Sequence, residues 1–177
     1  MYKGKTLLCT TSSVFQFQER ESGKQSCTVA LAHSSENRVM ECIPYDTTRV
    51  QISSTDVPNY INASHIMEIT QWIPTAFIIT QAPLPDKLEI FWMMIWEQES
   101  EIIACLISDA QLNGEIYWPI NEDDILNIGS FTISLRKRVN HVSYVQRVIS
   151  VHNTKKNSEK TVVHMQFLTW PSKYVNP

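Results

Sequence analysis

Four cysteines, at positions 9, 27, 42 and 105, are the side chains in this sequence best able to do covalent chemistry. A thiol that attacks phosphorus needs a lowered pKa and a cradle for the phosphoryl oxygens. Backbone N–H groups at a helix start and an arginine fork supply both, a geometry written in sequence as C-x5-R. The sixth residues after the four cysteines are Phe15, His33, Thr48 and Gln111, so none completes that pattern. Arg49 lies one position too far from Cys42, and Pro44 with no glycine between them does not suit a phosphate loop. The wide spacing, with no C-x-x-C, gives neither a zinc site nor a redox motif. All four thiols therefore read as reduced core or loop cysteines of a cytoplasmic protein.

Histidines 33, 65, 141, 152 and 164 share no metal-ligand spacing, and His164 falls in mid-strand, where a structural imidazole is expected. The acidic groups Glu97-Glu99-Glu101 and Glu122-Asp123-Asp124 have no partner across a site and read as surface charge. No metal and no cofactor is expected. The formal charge of −3 gives no basic field for nucleic acid. The uncharged stretch 69–85 contains three prolines and cannot span a membrane. With 177 residues and 43% hydrophobic side chains, the chain can bury a core without disulfides.

The elements that would position these groups follow from periodicity. Residues 1–35 are weakly patterned and rich in serine and threonine. Asn59–Ile66 and Ala76–Thr80 read as strands. Leu88, Phe91, Trp92, Ile95 and Trp96 recur at helical spacing behind Pro85, which suits a first helical turn. Ile102–Ile107 reads as a buried strand, completing a strand–helix–strand unit. Three alternating strands follow, around 131–139, 145–151 and 162–167, with a polar loop from His152 to Lys160. The fold class is α/β, or mixed α+β, with a parallel core and an antiparallel meander.

Five segments in order then resemble tyrosine-specific protein phosphatases. Asn37-Arg38 with Ile43-Pro44-Tyr45-Asp46 and Arg49-Val50 resembles their substrate loop. Tyr60-Ile61-Asn62-Ala63 resembles their "DYINA" strand. Thr80 to Pro85, with Phe91-Trp92 and Trp96-Glu97-Gln98, is similar to "TQGPLP…FW.MVWEQ". Tyr117-Trp118-Pro119 matches "YWP", and Val163-His164 with Thr169-Trp170-Pro171 resembles the run into the acid loop. Ala82 before Pro83-Leu84-Pro85 most resembles the non-receptor, His-domain (Bro1-containing) branch.

The resemblance implies a highly twisted mixed sheet flanked by helices, over a partial domain at 36–177 that ends at the acid loop. It also implies a metal-free, two-step hydrolysis of phosphotyrosine by cysteine, arginine and a general-acid aspartate. Here Ser172 follows Trp170-Pro171 where that aspartate is expected, and the family's "HCxxGxxR" run does not occur. In the substrate loop Val39 stands at an aromatic position and Glu41 at the acidic, backbone-holding one; with Asn37, Arg38 and Asp46 they are substrate-loop remnants. Trp170, Pro171 and Ser172 are acid-loop remnants. The expectation is a catalytically inactive chain, the N-terminal piece of a longer phosphatase or a pseudophosphatase, with phosphotyrosine proteins or other proteins as partners. Its central strands, Ile78–Ile79 and Ile102–Ile107, are expected to show an open edge. The sequence leaves the oligomeric state undetermined.

Overall fold

A computed structural model describes residues 5–10, 25–69 and 74–169, with the backbone alone at 5–10, 67–69 and 74–76. Its eight strands are β1 (Lys5–Thr10), β2 (Ala63–Ile69), β3 (Pro74–Gln81), β4 (Ser100–Cys105), β5 (Ile125–Ile128), β6 (Phe131–Asn140), β7 (Tyr144–Asn153) and β8 (Ser158–Phe167). Three helices accompany them: α1 (Thr28–Ala32), α2 (Leu88–Glu97) and α3 (Asp109–Leu112). One mixed sheet runs β2-β3-β1-β4-β8-β7-β6-β5.

The expected strand–helix–strand unit is β3–α2–β4, but its two strands are not neighbours. β1 lies between them and is parallel to both, with Leu7 opposite Ile78 on one side and Ile103 on the other. The open edge expected at these strands is therefore absent. β3 is paired by β2 and β1, and β4 by β1 and β8. The strand that closes the gap comes from far away in sequence, so no local pattern around β3 or β4 announces it.

α2 differs from its expected one-faced burial. Every residue from Ile90 to Trp96 is buried. All of them lie in one hydrophobic cluster with Ile78 and Ile103, which also includes Val50, Ile52 and Ile61 together with Tyr117 and Trp118. A helix covered all round can be apolar all round. Its first turn follows a 3-10 turn at Pro85–Lys87, with proline at the N-terminal position as expected. At its other end Lys160 donates to the Trp96 carbonyl at 3.0 Å, satisfying one of the orphan helix carbonyls, and sits 4.7 Å above the Trp96 ring.

The meander β6–β7–β8 is antiparallel, as alternation implied. The polar loop at 152–160 contracts to a turn at 154–157, with Asn157 in the left-handed region at φ 46°. β5, a four-residue strand, was not among the expected elements; it forms a tight hairpin with β6, Ile128 opposite Phe131. Gly129 makes that turn at φ +53°, and a side-chain carbon there would collide with the Glu89 carboxylate. Glu89 uses this space to accept the Ser130 N–H at 3.0 Å, tying the hairpin to α2.

On β8 the structure buries Val162, His164 and Gln166 and leaves Val163, Met165 and Phe167 half-buried. The polar-looking face is thus the inner one. It is tolerated because His164 and Gln166 each find at least one hydrogen-bond partner there. The Tyr117 hydroxyl and His164 Nε2 lie 3.1 Å apart. Gln166 accepts from Arg147 at 3.1 Å and donates to the Ile107 carbonyl and to Asp109.

Candidate functional site

The substrate-loop residues form a lattice of hydrogen bonds that holds the loop to the sheet. Asn37 is its hub. Its amide N donates to the Ala30 and His33 carbonyls, each at 3.1 Å. Its Oδ1 accepts from the Tyr60 hydroxyl at 2.6 Å and from Asn62 at 2.9 Å. Asn62, buried at the head of β2, also donates to the Cys42 carbonyl at 2.8 Å. Burial pushes the Tyr60 hydroxyl up to about 12, so Tyr60 stays a neutral donor at neutral pH.

Arg38 faces the loop after β3. Its Nε donates to the Ala82 carbonyl and an Nη to the Pro83 carbonyl, both at 2.7 Å, and the same group pairs with Glu115. The fork is thus occupied by protein acceptors. Val39 and Met40 are exposed at 36% and 42%, and Glu41 is exposed as well, so the crest of the loop faces solvent. Cys42 behind it is buried.

Asp46 is a cap. One carboxylate oxygen accepts the Thr28 N–H at 2.9 Å and the other the Val29 N–H at 3.0 Å, satisfying two orphan donors at the start of α1. The Val29 N–H is the main reason its pKa falls below the ordinary carboxylate value; desolvation opposes this, and Ser26, Thr28 and Arg49 reinforce it. A carboxyl whose folded pKa is depressed adds stability above its unfolded value, about 4, and loses it as pH falls through the folded value. Asp46→Ala is expected to lower the urea midpoint at pH 7, and the deficit is expected to shrink progressively as pH falls below about 4. A deficit that persists unchanged at low pH would refute an electrostatic cap.

The described thiols are ill-suited to nucleophilic work. Burial, and then the Asp46 charge, raises the Cys27 pKa; burial, and then Glu41, raises that of Cys42. Cys105 is fully buried, with its sulfur 3.7 Å from the Ile107 carbonyl oxygen. The side chain of Cys9 and all of Trp170, Pro171 and Ser172 lie outside the described residues. Among the described residues no three His, Cys, Asp or Glu side chains are grouped to hold a metal ion.

Sequence reasoning picked out Asn37, Arg38 and Asp46 but not Gln81 and Glu36, which complete the lattice. Gln81 accepts the Arg38 N–H at 2.8 Å and donates to the Glu36 carbonyl at 2.8 Å. Glu36 bridges His33 at 2.7 Å and Lys87 at 3.0 Å. Gln81 stands within the Thr80–Pro85 run, and that was the available signal.

A loop docked through asparagine and arginine onto the strand before a proline-started helix, on a twisted mixed sheet, defines a tyrosine-phosphatase-like domain. Comparison with known proteins agrees: a family profile described as "Protein-tyrosine phosphatase" matches residues 33–177. The chain belongs to the protein-tyrosine phosphatase family. It is 31% identical over 157 residues to tyrosine-protein phosphatase non-receptor type 23 of Homo sapiens, across 87% of this chain and 10% of that protein. It is 30% identical over 164 residues to non-receptor type 14 of Homo sapiens, across 88% and 14%. Non-receptor type 20 of Rattus norvegicus is 31% identical over 145 residues, across 80% and 34%. The chain thus spans about a tenth of the first of these relatives. No helix among the described residues is long and apolar enough to cross a membrane.

Proposed function

We propose that these 177 residues form a catalytically silent phosphatase-family module whose role is to bind proteins, phosphotyrosine proteins among them, in the cytoplasm. The observation that carries this reading is that no cysteine in the sequence is followed at C-x5-R spacing by an arginine. Two features support it. Arg38 is engaged by the Ala82 and Pro83 carbonyls, and Ser172 stands where the resemblance puts the proton donor. A serine hydroxyl is too weak an acid for that task at neutral pH, and losing a general acid costs about 10²–10⁴-fold. What remains for a partner is the exposed loop crest, Val39, Met40 and Glu41, carried on a rigid lattice.

The test is turnover of a phosphotyrosine peptide by the purified chain. Release of phosphate no faster than from a heat-denatured control is expected; turnover above it would overturn the reading. The coverage figures favour a second reading, in which the chain is the N-terminal piece of a longer, active phosphatase. The transcript beyond codon 177 decides between them: a C-x5-R run downstream supports the second, and an in-frame stop the first.

A further inference from the structure

The slot between β3 and β4 is one strand wide and lined on both sides by backbone donors and acceptors. β3 and β4 do not pair with each other, and the far edge of each is already taken. An extended segment that pairs with both edges fills such a slot. β1 does so, pairing Thr6–Thr10 with Phe77–Gln81 and Lys5–Cys9 with Ser100–Cys105.

Among the described residues β1 belongs to no hairpin. The next strand along the chain among the described residues is β2, at Ala63. The structured part of the chain resumes at Gln25 and is anchored there by the Asp46 N–H, which donates to the Ser26 carbonyl at 2.7 Å. Residues 11–24 alone join β1 to it, and a segment of that length reaches up to about 50 Å. A second copy of the chain carries an identical strand and can offer identical ladders.

We propose that β1 exchanges between copies: the β3–β4 slot of one molecule accepts Lys5–Thr10 of another, giving a reciprocal, two-fold dimer. Because the swapped and unswapped ladders are the same, the balance is set by concentration against the tether. A short tether corresponds to an effective concentration in the millimolar range. The dimer therefore accumulates as the protein approaches about 1 mM, or when it is refolded there, and persists on dilution while β1 stays seated.

Cys9 and Cys105 are register partners across β1 and β4 and give a built-in reporter. The intact chain, light and isotope-heavy in equal amounts, is refolded together at about 1 mM and at about 5 µM. Each sample is sized, briefly oxidised with diamide and digested without reductant for mass spectrometry. The expected result is a dimer at the higher concentration whose linked Cys9–Cys105 peptides include heavy–light pairs, and a monomer with only like-isotope pairs at the lower. A synthetic peptide of residues 1–10 added in excess during refolding should abolish the dimer, and a scrambled one should not. A monomer at both concentrations, or a dimer with like-isotope links only, would each overturn the proposal. None of these readouts depends on phosphatase activity.

Discussion

Replacing Leu8 by proline is expected to abolish the single cooperative unfolding transition of this protein. Leu8 sits in the middle of β1, opposite Ile79 on one side and Ala104 on the other. Proline brings no N–H, and its ring demands room in the ladder; central strands tolerate neither. The unpaired neighbouring carbonyl alone costs about 1–3 kcal/mol. The larger loss comes if β1 leaves, because it is the sole link between β2-β3 and β4-β8-β7-β6-β5 within the sheet. The unfolding temperature should drop by about 10 °C or more, or the transition should broaden into two. Leu8→Val, which keeps the N–H and the strand preference, serves as the control. A proline variant that melts like its parent, by calorimetry or circular dichroism, would show that β1 is not seated between β3 and β4.

The second large effect is expected at Trp92. It is fully buried at the centre of α2 and belongs to the main hydrophobic cluster. Its indole N–H donates to the Tyr117 carbonyl at 3.2 Å, and its ring meets Phe91 edge-on at 5.7 Å. Trp92→Ala removes the largest of the fully buried side chains, leaves a cavity and takes away the indole N–H that donates to the Tyr117 carbonyl. Such truncations cost about 3–5 kcal/mol, a large share of the 5–15 kcal/mol typical of a native domain. Urea unfolding should show a midpoint far below that of the parent with a similar slope. Trp92→Phe keeps most of the ring volume and should lose less than half as much. If alanine and phenylalanine were equally tolerated, α2 would not be the packed centre described above.

These two sites differ in how legible they are. Trp92 lies in a run of helical spacing behind a proline, and β3, α2, β4 and the β6–β8 meander all follow from period and punctuation alone. β1 has only six residues, and its pairing partners lie 71 to 96 positions away; nothing local encodes a slot of that kind. β5 is shorter still and exists through its hairpin with β6. The inner face of β8 was hidden for another reason. Hydropathy favours Val163, Met165 and Phe167, but Tyr117, Arg147 and Asp109 supply partners that let His164 and Gln166 go inside.

The same holds around the substrate loop. Asn37, Arg38 and Asp46 were recognisable as a motif, yet their work depends on carbonyls and N–H groups tens of residues away: Ala82 and Pro83 for Arg38, Thr28 and Val29 for Asp46. A motif names the residue types. Which partner each one satisfies is decided by the packing of α1 and the end of β3 against the loop.

A strand seated at the middle of the sheet yet made before both its neighbours has a consequence for synthesis. The ribosome releases Lys5–Thr10 long before Ser100–Cys105 exists. At about 5–20 residues per second, that bare segment waits on the order of 5–20 seconds with its ladder unmet. During that interval it is open to chaperones and to other nascent chains on the same message. The yield of properly assembled molecules should therefore depend on how crowded the polysome is, and slower initiation should raise it.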